Sequence, residues 1–281
     1  MLLRTPPPNN LQQYFQANGF LLLEVSSELK DSIQDAFEAA LTFFRSALSE
    51  KMTNKLPEEM GYRPFGIEYS RVPTVPDQIE SFSITARHSE AEVNLPSQSA
   101  QLLRARLSET FDALERIAEL LAVQLAAEMS DRPLASVLRG AFRRWSRLQV
   151  NYSRPVEVDS SFINEVHEDG NLITIACSTG PGLEIRTSSH EFMQITTSPG
   201  KMVVMPGEIA WLLSGGRIPP LYHRVRPEPI IKERMALLFF GDIDPLACEP
   251  WVKNEINSQI DIGDRVRKSV NRFGLKAFET K

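Results

Sequence analysis

The sequence predicts a mainly β protein, in which an antiparallel double-sheet barrel is flanked by N-terminal helices and a C-terminal tail helix. Two observations support this fold class. Short apolar runs separated by Pro and Gly turns fill the second half of the chain, and such spacing is typical of an antiparallel sandwich or barrel. Two long stretches of the first half carry apolar residues three and four positions apart, which indicates amphipathic helices.

The first half is predicted to be mainly helical. The segment FQANGFLLLEVS predicts the end of a helix, a turn at Asn18 and Gly19, and a short strand. The apolar spacing predicts helices over residues 28–50 and 98–129. Between them, GYRPFGIEYSR and PDQIESFSI are predicted to be loops with short strands. We expect residues 1–140 to form a mainly helical region that packs on the barrel.

The second half is predicted to supply the barrel. Its alternating or apolar runs are RLQVNYS, LITIACS, GLEIRT, FMQITTSP, KMVVMPG, AWLLSGG and ALLFFGDI. Each run has the length of a strand, and Pro or Gly turns separate them. We therefore expect a barrel over residues 141–245 and a helical tail over residues 246–281.

Composition narrows the functional classes. The 281 residues carry a formal net charge of −5 and no basic run, so a nucleic-acid partner is not expected. The apolar stretches are far too short to cross a membrane, and the N-terminus MLLRTPPPNN lacks the apolar core of a signal peptide. Cys177 and Cys248 are far apart and outside any metal-binding spacing, which predicts reduced thiols in a cytoplasmic protein.

The stretch EVHEDGNLITI contains a candidate metal site. His167 and Asp169 are two positions apart, so an extended backbone would direct both side chains to one face. Two imidazoles and one carboxylate form the ligand set of a non-heme Fe(II) site, which requires a second histidine. His223 enters a predicted strand, whereas His190 and His88 lie in polar turns, where a solvated histidine is the usual interpretation. The alternative is a polar turn that leads into a half-buried strand.

A second candidate site lies downstream, where Arg234 opens the apolar run RMALLFF. An unpaired charge is costly in such a setting, so the guanidinium needs a partner. That partner is either a protein acid or the carboxylate of a bound small molecule, which the planar arginine fork can bind with two hydrogen bonds.

The order of these residues resembles the 2-oxoglutarate/Fe(II)-dependent dioxygenases, and within them the isopenicillin N synthase and plant flavonoid oxygenase group. HEDGNLITI is similar to the H-x-D-x-x-x-L-T-L pattern of that group, QVNYSRP to its N-Y-Y-P strand, and the block from GLEIRT to YHRV to its segment ending in H-R-V. GFLLLEV and PDQIESFSI resemble its N-terminal region, and DIGDRVRKSVNRFGL its tail helix. The resemblance covers nearly the whole chain.

This resemblance implies a double-stranded β-helix, also called a jelly-roll, with flanking helices. It implies an Fe(II) ion held by three ligands, His167, Asp169 and His223. It also implies that 2-oxoglutarate binds the iron through its keto-acid end, with its distal carboxylate on Arg234.

The sequence departs from the family's pattern at several positions. Ala236 replaces the serine of the R-x-S motif, which removes a hydroxyl donor whose hydrogen bond to a charged group is worth about 1.5–3 kcal/mol. Tyr152 is the expected replacement donor, Asn151 is a second candidate cosubstrate contact, and Ser153 stands where the family has another tyrosine. MPGE stands where the family has N-x-G-D, and we interpret it as a turn without a chemical role.

Candidate substrate residues lie in the loop GYRPFGIEYSR, which in the family can reach over the active site. Tyr62, Arg63 and Tyr69 are the candidates there, and Arg63 would suit an acidic substrate. Phe239 is a further candidate, although Phe239 and Phe240 are core residues by default. The alternative is that the loop residues simply lie on the surface.

The resemblance implies an oxygenase that uses Fe(II), 2-oxoglutarate and O₂ to hydroxylate, desaturate or cyclise an unactivated carbon of a small-molecule substrate, expected in secondary metabolism. Two alternatives stay open. Ala236 is compatible with an isopenicillin N synthase-type oxidase, which draws all its electrons from the substrate and needs no 2-oxoglutarate. A jelly-roll binding protein without catalysis is the second, although a complete ligand triad argues against it.

Overall fold

The computed structural model confirms a jelly-roll fold, with two antiparallel sheets and helices that pack on the larger one. The structure describes residues 2–56, 60–86, 95–130, 142, 145–154, 162–228 and 232–269. In this part of the chain, helices and strands alternate up to Met129, strands predominate from Arg147 to Gly241, and a helix spans Ile262–Ser269.

The larger sheet has seven strands within the described residues. They are β1 (Leu21–Glu24), β2 (Gly61–Arg63), β3 (Glu80–Thr85), β4 (Arg147–Ser153), β6 (Ile173–Ser178), β9 (Lys201–Pro206) and β11 (Arg234–Gly241). Their order across the sheet is β1-β9-β6-β11-β4-β3-β2, and all neighbouring strands are antiparallel. The apolar strand β11 therefore lies in the middle of the sheet, between β6 and β4.

The smaller sheet has four strands in the described residues. They are β5 (Asn164–His167), β7 (Leu183–Arg186), β8 (Phe192–Gln194) and β10 (His223–Val225), in the order β5-β10-β7-β8. Apolar residues of both sheets, among them Ile185, Val203 and Met205, form a buried cluster. The two sheets therefore pack face to face.

The helices of the described residues are α1 (Leu11–Asn18), α2 (Ser27–Phe44), α3 (Leu48–Lys51), α4 (Gln98–Met129), α5 (Glu208–Leu213) and α6 (Ile262–Ser269), with a 3-10 turn at Pro245–Ala247. Helices α2 and α4 pack on each other, and α4 also packs on the larger sheet. The buried stripe of α4, which includes Leu107, Leu114 and Leu121, forms the main hydrophobic core together with the outer face of that sheet.

Helix α4 illustrates a prediction that the structure confirms at both ends. The predicted range was residues 98–129, and the helix spans Gln98–Met129. The Ser97 side chain accepts a hydrogen bond from the Ala100 backbone N–H, which satisfies one of the unpaired donors at the helix start. Periodic burial over many turns makes such a helix readable from the sequence.

The strand predicted for AWLLSGG is wrong, because this segment forms helix α5 and the turn after it. The buried residues of this short helix are Ile209, Ala210, Leu212 and Leu213. Because they come in adjacent pairs, the run shows no clear helical period. Gly215 and Gly216 adopt positive φ angles of 60° and 82°, which end the helix in a conformation that glycine favours. A short apolar run before two glycines does not distinguish a strand from a helix.

The three predicted regions are interleaved in space. The N-terminal region contributes β1, β2 and β3 to the larger sheet, so it forms part of the barrel wall as well as the helical layer. The tail helix was predicted over residues 246–281, and α6 lies within the described part of it; residues 270–281 lie outside the described residues. None of the helices described has the length and apolar character needed to span a membrane. Cys177 is buried on β6, Cys248 is partly buried, and both are free thiols.

Candidate metal centre

An open cavity lies between the two sheets and contains about 860 Å³ of empty space, including its mouth. Alternate residues of the neighbouring strands β4 and β11 form one wall, because successive side chains of a strand point to opposite faces. These wall residues are Arg147, Gln149, Asn151 and Ser153 on β4, and Arg234, Ala236, Leu238 and Phe240 on β11.

Three side chains converge inside this cavity. His167 ends β5 and His223 begins β10, and the two residues lie directly opposite each other in the antiparallel pair, with ring centroids 4.3 Å apart. Asp169 follows β5, and its Oδ1 is 3.8 Å from His167 Nε2 and 4.0 Å from His223 Nε2. One possible ligand atom from each residue lies within 4.8 Å of the others, and no second cluster of this kind occurs among the described residues.

Of the other two histidines, His190 does not join this cluster. His190 is exposed in the turn between β7 and β8, where it adopts a positive φ angle of 66°. His88 lies outside the described residues. Of the candidate second histidines, the structure therefore brings His223 to the site.

Backbone carbonyls fix the ring nitrogens of both histidines. His167 Nδ1 lies 2.7 Å from the Glu165 carbonyl oxygen, and His223 Nδ1 lies 3.1 Å from the Leu221 carbonyl oxygen. A carbonyl oxygen only accepts hydrogen bonds, so each Nδ1 carries the proton and donates it. Nε2 is then the ring nitrogen that faces the cluster, and this is the arrangement that orients a histidine for metal binding.

The Asp169 carboxylate is oriented from the opposite side. Thr174 donates a hydrogen bond from its hydroxyl to Asp169 Oδ2 at 2.5 Å, which leaves Oδ1 facing the imidazoles. The Glu208 backbone N–H donates to the Asp169 carbonyl at 2.8 Å. At Gly207 a Cβ atom would lie 2.1 Å from the Asn171 carbonyl oxygen, so only glycine fits there. The MPGE turn, predicted to have no chemical role, thus positions the loop that carries the Asp169 carboxylate.

The charge state of the cluster suits a metal ion. Burial lowers the pKa of His223 to about 4, the nearby His167 acts in the same direction, and Asp169 opposes the shift. His223 is therefore neutral near pH 7 and can donate its lone pair. Two imidazole nitrogens and one carboxylate oxygen fit the facial ligand set of non-heme Fe(II), which leaves further coordination positions open.

Arg234 lies at the far end of the same cavity wall and is buried, with 8% of its surface exposed. Its Nε donates to the Pro181 carbonyl at 2.9 Å, and among the described residues no carboxylate pairs with it. Burial lowers the pKa of Arg234 to about 10, and the Cys177 thiol opposes this shift. Such a guanidinium can bind an anionic group that enters the cavity.

Small polar residues surround Arg234 in the cavity. Ala236 lies opposite Ser178 of β6 in the sheet register. The Ser178 hydroxyl donates to the Gly180 carbonyl at 2.7 Å and lies 3.0 Å from the Thr197 hydroxyl. Ser153, which is the register partner of Arg234, also lines this end of the cavity. Three hydroxyl groups therefore lie near Ala236, and those of Ser178 and Ser153 donate to backbone carbonyls.

The profile of the 2OG-Fe(II) oxygenase superfamily matches residues 145–242, the segment that contains the triad and Arg234. Residues 145–242 therefore form a domain of this superfamily. The jelly-roll expected from the resemblance and the superfamily itself are thereby confirmed, whereas the finer assignment to the isopenicillin N synthase and flavonoid oxygenase branch stays a prediction.

Known proteins similar to this chain include a curated plant enzyme and several solved structures. The 2-oxoglutarate-dependent dioxygenase AOP3 of Arabidopsis thaliana is 34% identical over 91 residues, which is 32% of this chain and 22% of that relative's length. A full-length Neurospora crassa protein, solved in complex with alpha-KG, is 17% identical with a TM-score of 0.74, covering 94% of this chain and 89% of that one. A rice dioxygenase for auxin oxidation is 22% identical with a TM-score of 0.61, covering 83% and 76%. At these identities the solved structures show a shared fold.

Tyr152 of the oxygenase domain does not reach the cavity, which corrects its predicted role as a cosubstrate contact. Its neighbours Asn151 and Ser153 line the cavity, so Tyr152 points to the opposite face of β4. There its ring stacks on Phe44 at 5.1 Å, and its hydroxyl donates to Glu233 at 2.5 Å. Asn151 does line the cavity, and its side-chain oxygen accepts a hydrogen bond from Gln149 at 2.7 Å.

Phe239 also points away from the cavity. It is fully buried and packs edge-to-face on Phe111 of α4, with ring centroids 5.3 Å apart. The next residue, Phe240, lines the cavity instead. The predicted substrate contact from Phe239 is therefore wrong, and Phe240 is the phenylalanine that faces the cavity.

The predicted substrate residues of the GYRPFGIEYSR segment divide in the same way. Tyr62 is buried in β2 and donates to Glu80 at 2.6 Å, so it does not line the cavity. Arg63 is buried as well, and its Nε donates to Glu68 at 3.0 Å, which makes it a structural ion pair rather than a free cation. Tyr69 does line the cavity, so its substrate role stays a prediction.

Sequence reasoning missed a buried polar group on the β4 side of the cavity. Glu68 accepts hydrogen bonds from Arg63, from Gln149 at 3.0 Å, and from the Ser81 hydroxyl. Arg147 lies on the same wall as Gln149. The alternation of β4 could have identified Arg147 and Gln149 as partners of Asn151 on one face, but their approach to Glu68 depends on the tertiary fold.

Proposed function

We propose that this chain is an Fe(II)- and 2-oxoglutarate-dependent oxygenase that acts on an unactivated carbon of a small-molecule substrate. The observation that carries the proposal is the combination, in one cavity, of a His-Asp-His cluster with a buried arginine that has no acidic partner among the described residues. The first group suits a metal ion, and the second suits the distal carboxylate of a dicarboxylate.

His167 Nε2, His223 Nε2 and Asp169 Oδ1 would hold the iron, and Thr174 would keep the carboxylate in place. When bound, Fe(II) with 2-oxoglutarate supplies the activation of O₂ that oxidises a substrate C–H bond. Arg234 orients the cosubstrate by pairing with its distal carboxylate.

The apolar part of the cavity supports a separate task. Its apolar lining residues include Ile79, Leu183, Met205, Val225 and Leu238. These side chains limit the access of water to the site. The shape of the apolar surface positions the substrate carbon.

The relatives support a small-molecule substrate. Two further solved structures of the Neurospora crassa protein contain alpha-KG with thymine or with 5-formyluracil, and a structure of JOX2 contains 2OG, Fe and JA. We propose a comparable small organic substrate here, with hydroxylation as the default reaction and desaturation or cyclisation as variants. A place in secondary metabolism and a cytoplasmic location are part of the same proposal, and the two free cysteines support the latter.

Thr174→Val tests the support of the metal ligand. Valine keeps the shape of the side chain but loses the hydrogen bond to Asp169 Oδ2, so the carboxylate loses its fixed orientation. Loss of such a partner lowers metal affinity by about 10- to 100-fold. Anaerobic Fe(II) titration measures the change, and the matched control is Thr110→Val, a buried threonine of α4. Equal Fe(II) affinity in Thr174→Val and wild type would contradict the assignment.

Ala236→Ser tests the missing hydroxyl of the cosubstrate site. Ala236 faces the cavity close to Arg234, so a serine there adds a donor near the distal carboxylate. We expect 2-oxoglutarate affinity to be unchanged if Ser178, Ser153 or Thr197 already supplies the hydrogen bond, and to rise by about tenfold or more if none does. Anaerobic calorimetry measures it, with Ala113→Ser, at a partly buried alanine of α4 that does not line this cavity, as the control. Weaker binding would contradict the expectation that a hydroxyl at this position can donate to the distal carboxylate.

The absence of the R-x-S serine favours one competing function, an oxidase that uses no 2-oxoglutarate. Addition of 2-oxoglutarate to the Fe(II) protein under nitrogen separates the two. The proposed oxygenase should develop a metal-to-ligand charge-transfer band that saturates with 2-oxoglutarate. An Fe(II) protein without this band would support the oxidase, and a protein that binds no Fe(II) would support a non-catalytic binding protein.

A further inference from the structure

Arg147 is a buried cation at the metal end of the cavity. It is 8% exposed and lines the cavity as the first residue of β4. Its register partner on β11 is Phe240, whose partner on β6 is Thr174. Because Thr174 holds the Asp169 carboxylate, Arg147 lies at the level of the proposed iron site.

No acid in the described part of the chain accepts a hydrogen bond from Arg147. Its Nε is buried without any hydrogen-bond partner, and its guanidinium lies over the Phe240 ring, 4.5 Å from the centroid. Burial lowers the pKa of Arg147 to about 10, and the charge of Arg63 adds to this shift. Glu68, Asp169 and Asp242 attract the guanidinium only through longer-range electrostatics.

Two acids that line the cavity besides Asp169 are already satisfied by other donors. Glu68 accepts hydrogen bonds from Arg63 and Gln149. The two oxygens of Asp77 accept from the Ser70 backbone N–H at 3.1 Å, the Ser70 hydroxyl at 2.8 Å and the Asn164 amide at 2.9 Å. These carboxylates hold the cavity wall together, whereas Arg147 is left with an unused donor.

The two cavity arginines lie at opposite ends of the β4–β11 pair. Arg234 pairs in register with Ser153, and Arg147 pairs with Phe240. The two levels are about six residues of strand apart, which is about 20 Å along the backbone. A cosubstrate held between the iron and Arg234 would therefore leave Arg147 available on the other side of the metal.

We propose that Arg147 binds a carboxylate of the primary substrate, so that the substrate is a small organic acid. The planar guanidinium can take both carboxylate oxygens, and Phe240 beneath it restricts the plane of the fork. A bound carboxylate would compensate the buried positive charge of Arg147. An acid should therefore bind more tightly than a neutral molecule of the same shape. This inference rests on the proposed function and adds the chemical class of its substrate.

The test compares acids with their neutral amides. Wild-type protein loaded with Fe(II) and saturated with 2-oxoglutarate under nitrogen is titrated calorimetrically with phenylacetate, hexanoate and benzoate, and with the primary amide of each. We expect at least one acid to bind about tenfold or more tightly than its amide. Arg147→Met should abolish this preference, Arg147→Lys should keep part of it, and Arg186→Met, at an exposed arginine of β7, should keep all of it.

Two further measurements separate this inference from its alternatives. Arg147→Met should still bind Fe(II) and 2-oxoglutarate like wild type, which also shows that the variant is folded. If Arg147→Met loses 2-oxoglutarate while Arg234→Met keeps it, Arg147 holds the cosubstrate and the inference is overturned. An acid preference that is absent from wild type, or that persists in Arg147→Met, overturns it as well. If wild type binds no 2-oxoglutarate, the proposed function fails, and the same acid and amide titrations of the Fe(II) protein alone still decide the role of Arg147.

Discussion

Replacement of any one of the three cluster residues by alanine should abolish tight Fe(II) binding. We expect the wild-type protein to bind about one Fe(II) ion per chain. Each of the three residues supplies one of three converging ligand atoms, so a single substitution leaves an incomplete facial site. We expect more than a hundredfold loss of Fe(II) affinity and loss of oxygenase activity in His167→Ala, Asp169→Ala and His223→Ala. Metal analysis and anaerobic Fe(II) titration measure the first effect, and succinate formation measures the second.

The matched control for this prediction is the exposed His190. Its positive φ angle makes asparagine a better replacement than alanine, because asparagine tolerates this conformation. His190→Asn should bind Fe(II) like wild type. Loss of the metal in His190→Asn, combined with its retention in His223→Ala, would refute the ligand assignment.

Arg234→Met should weaken 2-oxoglutarate binding by about a hundredfold or more while Fe(II) binding survives. The guanidinium is buried beside hydroxyl groups and has one backbone carbonyl as its hydrogen-bond partner in the described residues. Removal of one member of a buried charge pair costs about 3–5 kcal/mol, and each 1.4 kcal/mol corresponds to about a factor of ten. Titration of the Fe(II) protein with 2-oxoglutarate under nitrogen measures the loss.

Two controls sharpen the Arg234 prediction. Arg234→Lys keeps the charge but not the planar fork, so it should fall between wild type and methionine. Arg186→Met removes an exposed arginine of β7 and should have no effect on 2-oxoglutarate. Equal binding by Arg234→Met and wild type would assign the distal carboxylate to a different basic residue.

The sequence predicted the barrel strands and the long helix well because their periods are clear. The run RLQVNYS corresponds to β4, and RMALLFF lies within β11. The spacing of His167 and Asp169 identified two members of the cluster, whereas the choice of His223 depended on its place in a strand. The convergence of the three side chains requires the pairing of β5 with β10, which no local pattern specifies.

Strand alternation explains which site predictions were wrong. Asn151 and Tyr152 are consecutive in β4, so they cannot both face the cavity. By the same rule, Phe240 lies on the same face of β11 as Arg234, and Phe239 lies on the opposite face. Alternation alone does not say which face is inside, because both faces of the central strands are buried. That information comes from helix α4 on one side and the smaller sheet on the other.

The pairing of β10 with β5 makes the metal site depend on strand register. Both imidazoles come from short strands at positions directly opposite each other. A shift of β10 by one residue would turn the His223 side chain to the other face and separate the two rings. Insertions or deletions in the loop that precedes His223 should therefore be tolerated only when they preserve this register. A bound metal ion would stabilise this register over the shifted ones, because only this register brings the two imidazoles together.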